Sequence, residues 1–218
     1  HGYMGKGLFP TLRKYATNID TLITEGTMLN RNDECIHECK VSEKMANVMK
    51  AFKYVFVLAS ATDIERLASI KNASSEAKKT LYVCSKFMVS TMMFFTERES
   101  SLSRGLFNFS PRMLRLNGLD KIKKKGFVLI AGTSQISRVK KLLKELPIEE
   151  TLLIYSSWEG YYTIPEQIAA NPGYKNFREL FYNIVDIHTS GHADKTTIKR
   201  VIETINSKEV IVIHKEGD

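Results

Sequence analysis

Residues 183–214, NIVDIHTSGHADKTTIKRVIETINSKEVIVIH, set the architecture. The run 183–188 is apolar enough for a strand. Thr189-Ser190-Gly191-His192-Ala193-Asp194 then supplies a tight polar turn. Ile198, Val201, Ile202 and Ile205 recur at helical spacing, and 209–214 is a second apolar run that ends at His214. Strand, turn, helix and strand in that order make one crossover unit of an α/β sheet. The unit is expected to present His192 and His214 at one sheet edge. Two imidazoles at strand ends suit metal binding or proton transfer, although a single His is more often a hydrogen-bonded structural residue.

The same alternation extends through the rest of the chain. Further strands are expected at 20–24, 54–60, 80–84, 127–131 and 151–155. These runs show little polar alternation, as strands buried on both faces do. Between them lie helical stripes: Met45, Val48, Met49 and Phe52, and then Ile136, Val139, Leu143 and Leu146 before Pro147. Thr62-Asp63-Ile64-Glu65 reads as a capping box, with Ile64, Leu67 and Ala68 inward. Met88, Met92 and Phe95 share a helical face, which predicts a buried helix filled by methionine. The basic run Lys121, Lys123, Lys124 and Lys125 before Gly126 reads first as a solvated helix end and second as a phosphate contact. The predicted fold class is α/β, with a Rossmann-like, mostly parallel sheet.

Composition sets the bounds. The chain has 218 residues, 43% apolar and 26% charged, enough for a sizeable core. Its formal net charge of +8 favours polyanionic partners such as nucleic acid, and equally suits a basic surface kept for solubility. Three cysteines argue against a disulfide framework, and Cys35 and Cys39, with His37 between them, read as reduced thiols of a cytoplasmic protein. No apolar run approaches the ~18 residues of a membrane span, and no signal-peptide core is present. The opening His1-Gly2-Tyr3, without an initiator Met, is what a fragment or processed piece would show.

Small polar residues follow several strands: Glu25-Gly26-Thr27, Ser60-Ala61-Thr62, Gly132-Thr133-Ser134 and Ser156-Ser157. Ligands of open α/β sheets bind beyond strand carboxyl ends, where helix N-termini attract phosphate, but the same residues also serve as N-caps. No Walker A sequence and no strand-linked G-x-G-x-x-G is present.

TSGHAD followed by an apolar strand ending in His resembles the C-terminal motifs of the beta-CASP group of metallo-beta-lactamase-fold nucleases. Residues 19–27, IDTLITEGT, resemble the strand ending in that family's motif A acid, and His1-Gly2 resembles the end of its G-D-x-R-x-H-G segment. The resemblance implies a partial metallo-beta-lactamase segment at 1–33, a beta-CASP domain at 34–180 and a second partial lactamase segment at 181–218. By the same resemblance Glu25 and His192 would be catalytic, with Glu25 holding and polarising His192. His214 would be a zinc ligand. Gly26, Thr27, Ser156, Ser157, Ser190 and Gly191 would line the scissile phosphate. The complete enzyme would carry two zinc ions.

Glu in motif A and His in motif C resemble the RNA-acting members, whereas the DNA-acting members tend to carry Asp and Val. The family's H-x-H-x-D-H cluster has no counterpart here, and its bridging Asp would fall just before His1. The end, His214-Lys215-Glu216-Gly217-Asp218, departs from the usual H-G-E. The expectation is therefore a catalytically incomplete piece of a zinc-dependent RNA nuclease. Its partners would be RNA, with DNA as the alternative substrate, the missing lactamase half, and in one variant a second copy of itself. The rivals are a non-catalytic nucleic-acid-binding module and an unrelated nucleotide-binding α/β domain. Pairing of the first and last strands in a sheet of their own would exclude the last.

Overall fold

The computed structural model describes residues 2–30, 35–101, 103–115 and 119–214. In chain order the elements are α1 (Leu8–Tyr15), β1 (Thr21–Glu25), α2 (Glu38–Ala51), β2 (Tyr54–Leu58), α3 (Ile64–Glu76), β3 (Leu81–Val83) and α4 (Lys86–Glu97). They continue with β4 (Arg112–Met113), α5 (Leu119–Lys125), β5 (Phe127–Ala131), α6 (Ile136–Leu143), β6 (Thr151–Tyr155) and α7 (Gly160–Thr163). The last are α8 (Pro165–Ala170), α9 (Pro172–Arg178), β7 (Asn183–Asp186), α10 (Lys195–Ile205) and β8 (Glu209–Ile213). The fold is α/β, and among the described residues every strand pair is parallel. Two compact units form, His1–His37 with Thr189–Asp218, and Glu38–His188.

The larger unit holds a six-stranded sheet in the order β4-β3-β5-β2-β6-β7. Its central strands β2, β5 and β6 are buried at every position, as their uninterrupted apolar runs require. On one face Phe56, Phe127, Leu129 and Tyr155 meet Val139 and Leu142 of α6 and Phe177 of α9. The alternate residues Val55, Val57, Val128, Ile130, Leu152 and Ile154 are equally buried. Each large side chain so covered contributes about 1.5–3 kcal/mol. Connections reverse direction around β2, which places the carboxyl ends of β2, β5 and β6 together.

The smaller unit is a two-stranded sheet of β1 and β8, with Glu25 opposite Ile213. Helices α1 and α10 pack on each other and α10 on β1, burying Ile198. First and last strands thus pair in their own sheet, which sets the chain apart from a single-sheet nucleotide-binding domain.

Three expectations are corrected. The crossover unit at 183–214 does not close on one sheet, because β7 joins β6 while β8 joins β1. Local pattern makes both runs strands but carries no information about distant partners. The α3 cap is Asp63, which accepts from the Arg66 N–H at 3.2 Å, and not Thr62, whose hydroxyl is turned to Ser60. Helix α4 buries Met88 and Met92 but leaves Phe87 and Phe94 at least half exposed.

Candidate active site

Within the smaller unit, β1 and β8 run in register to their carboxyl ends, where Glu25 lies opposite Ile213 and His214 follows directly. The Gly26 N–H continues the ladder to the Ile213 carbonyl at 2.8 Å. Its N–H is spent there. The Thr27 hydroxyl shares its proton between the His214 carbonyl at 3.1 Å and Glu25 Oε2 at 3.3 Å.

The TSGHAD turn supplies the other wall. Asp194 caps α10, accepting from the Thr197 N–H at 2.7 Å, and so fixes the chain just after His192. Ser190 accepts from the His192 N–H at 3.1 Å, and Gly191 is exposed. Against this turn the Glu25 carboxylate makes two contacts. One oxygen is hydrogen-bonded to His192 Nδ1, and the other accepts from the Ala193 N–H at 2.9 Å. His192 therefore turns Nε2 away from Glu25, and its ring lies 6.5 Å from that of His214, centre to centre. Burial pushes the Glu25 carboxyl up. The Ala193 N–H, His192 and the Thr27 hydroxyl together outweigh it and hold the group below its ordinary 4.5. Glu25 is thus a carboxylate at neutral pH, suited to orienting an imidazole and balancing its charge.

Ser156 and Ser157 lie in the larger unit, after β6. Ser156 is buried, and its hydroxyl donates to the Ile187 carbonyl at 2.8 Å and accepts from Arg66 Nη1 at 2.6 Å. It is committed inside the unit, whereas Ser157 is only half-buried. Arg66 anchors a network not anticipated from the sequence. Its Nε and Nη2 clasp the Glu38 carboxylate at 2.7–3.1 Å, and Ser69 Oγ donates to Glu38 at 2.5 Å. Arg66 Nη1 also lies 3.1 Å from His188 Nδ1. A guanidinium only donates, so Nδ1 accepts and the ring is neutral. Burial first and the Arg66 charge second push His188 down to about 4.

A catalytic zinc needs about three protein ligands. Among the described residues no group of three His, Cys, Asp or Glu side chains can hold a metal. Burial and then the Asp194 charge push the Cys35 thiol up, which disfavours the thiolate a metal needs. The described residues do not by themselves form a zinc site. Cys35, Cys39 and Cys84 are in no disulfide. Among the described residues no helix is long and apolar enough to cross a membrane.

Comparison with known proteins finds a family match in the C-terminal segment. Residues 181–217 match the family described as Zn-dependent metallo-hydrolase RNA specificity domain, which is consistent with a metallo-beta-lactamase or beta-CASP family. The match covers β7, the TSGHAD turn, α10 and β8, and points to an RNA-specificity module of a zinc-dependent metallo-hydrolase. No curated protein matches the chain. Among solved structures, a protein of unknown function from Enterococcus faecalis V583 has a TM-score of 0.61 at 14% identity. That alignment covers 95% of this chain and 48% of that one, so this chain spans about half the length of its structural relative. The Hef helicase domain of Pyrococcus furiosus aligns over 81% of this chain and 37% of its own at 13% identity, with a TM-score of 0.30, too low for a common fold.

Proposed function

We propose that the chain forms part of a zinc-dependent hydrolase that cleaves RNA phosphodiester bonds, with Glu25 and His192 as its acid–imidazole pair. The observation that carries this reading is the two-point grip of the Glu25 carboxylate on His192 Nδ1 and the Ala193 N–H, at the shared end of β1 and β8. The match of residues 181–217 to an RNA-specificity domain supports RNA over DNA. His192, with Nε2 facing outward, protonates the leaving oxygen or contacts the scissile phosphate, while Glu25 fixes its tautomer. Ser190, Gly191 and Thr27 border the same strand ends and serve the phosphate. His214 is one zinc ligand, and the remaining ligands come from outside the described residues. Residues 1–33 and 181–218 are parts of a lactamase-type domain, and 34–180 form the beta-CASP insertion. Three cysteines outside any disulfide suit a cytoplasmic location.

The test is His192→Ala in a protein that carries the complete zinc site, assayed on a labelled RNA oligomer. Cleavage is expected to fall by about a hundredfold or more, the scale of a lost general acid. Unchanged cleavage overturns the role of His192.

A second reading is a non-catalytic RNA-binding module, favoured by the lack of a metal-holding group among the described residues. It is distinguished by RNA binding without cleavage when zinc is supplied to the complete protein.

A further inference from the structure

The larger unit contains a cavity of about 340 Å³ that the candidate active site does not use. It opens beside Thr80 and Leu81 at the start of β3 and Arg112 at the start of β4. It therefore lies at the amino ends of the parallel strands, whereas Ser156 and Ser157 follow the carboxyl end of β6.

Its lining is one-sided in charge. Lys71, Lys79 and Arg112 face it, and among the described residues no carboxylate does. Lys71 Nζ donates to the carbonyls of Leu106 at 3.0 Å and of Gly105 and Asn108 at 3.4 Å, and stands 5.6 Å over the Phe109 ring. Lys79 Nζ donates to the Lys53 carbonyl at 3.4 Å, and the exposed Arg112 guanidinium has no hydrogen-bond partner among the described residues. Burial pushes both lysines below the ordinary lysine value. Lys53 adds to this for Lys79, and Glu99 partly offsets it for Lys71. The two partly buried lysines, without an ion-pair partner among the described residues, gain from an anion that completes the site. The volume suits a small ligand of nucleotide size, with Ser110 as a hydroxyl donor and Phe109 in an apolar wall, while Ser75 spends its proton on the Lys71 carbonyl at 2.9 Å.

We propose that this cavity binds the phosphate group of a nucleotide, either free or as one unit of a single-stranded RNA, through Lys79 and Arg112, with Lys71 supplying charge from behind. Lys71 already holds the 105–108 loop by its carbonyls, so its contribution is electrostatic. Lys79 has two N–H groups to give, and Arg112 its whole fork. The site is independent of the Glu25–His192 pair, and its failure would leave the cleavage reading untouched.

The experiment titrates the 218-residue chain with AMP, adenosine and a short fluorescent oligouridylate, using calorimetry and anisotropy. AMP is expected to bind roughly tenfold or more tightly than adenosine. Lys79→Gln/Arg112→Gln is expected to weaken AMP by roughly tenfold with an unchanged thermal melt. Arg112→Gln alone, at an exposed position, serves where the double variant melts early. Oligouridylate binding tighter than AMP assigns the site to an RNA strand, and AMP equal or tighter assigns it to a mononucleotide. Absence of binding by both, equal binding of adenosine and AMP, or full AMP affinity in a folded variant overturns the proposal.

Discussion

His188 shows how one buried side chain carries a pH dependence. In the unfolded chain its imidazole binds a proton below its ordinary 6.5. In the fold, burial and the Arg66 guanidinium delay that to about 4. Between these values the unfolded state holds the extra proton, so acid draws the protein toward unfolding. The stability conferred by a neutral His188 is fully present above pH 6.5 and is lost as pH falls toward 4. At ~1.4 kcal/mol per pKa unit the loss approaches roughly 3 kcal/mol. Glu25 is depressed and Asp63 is raised by burial, and both also titrate at the acid end. The informative quantity is therefore the difference between wild type and His188→Gln in urea unfolding from pH 7 to pH 4. The variant is expected to show the shallower decline, because an amide can still accept from Arg66 without binding a proton. Equal slopes would show that His188 is not the group responsible.

At the scale of elements, the junction of α5 and β5 depends on Gly126, whose φ is +72°. A Cβ there would run into the Lys53 carbonyl oxygen. That oxygen cannot move cheaply, since it accepts from the Phe127 N–H at 3.1 Å and from Lys79 Nζ at 3.4 Å. Gly126→Ala is expected to cost ~2–3 kcal/mol in chemical denaturation, combining left-handed strain with a backbone clash. Gly105→Ala, at φ +77° but with open space around it, is expected to cost only ~1 kcal/mol. Equal losses would remove the clash from the account. These elements also differ in how far the sequence revealed them. β5 and β6 are saturated with apolar side chains and were legible as they stand. β4 is two residues, Arg112 and Met113, with no apolar run to betray it. An arginine on an amphipathic helix reads as exposed, so Arg66 gave no sign that it lies buried against Glu38, Ser69, Ser156 and His188. Glu25 and His192 are 167 positions apart, and only the family resemblance suggested their partnership. Periodicity reports which face of an element is buried and says nothing of which distant segment buries it.

Over the whole molecule, charge and candidate chemistry are divided. Residues 38–188 hold 23 Lys and Arg against 15 Asp and Glu, whereas the remainder of the chain holds 9 of each. The entire excess of +8 thus belongs to the larger unit, and the Glu25–His192 pair to the electrically balanced one. Phosphate neutralisation releases counterions, so a protein that uses such charge loses RNA affinity steeply with salt. Lys121, Lys124 and Lys125 are exposed near the end of α5 and test whether that region is used. Anisotropy titrations of a single-stranded RNA over a range of KCl concentrations should give a linear log–log plot. Replacing the three lysines by glutamine should reduce its slope by about two, at ~0.7 for each phosphate no longer neutralised. A charge-conserving Lys→Arg triple variant should keep the original slope. If the glutamine variant retains the wild-type slope, the run is a solvated helix end, and the phosphate-binding charge lies elsewhere among the 23 cations of the unit.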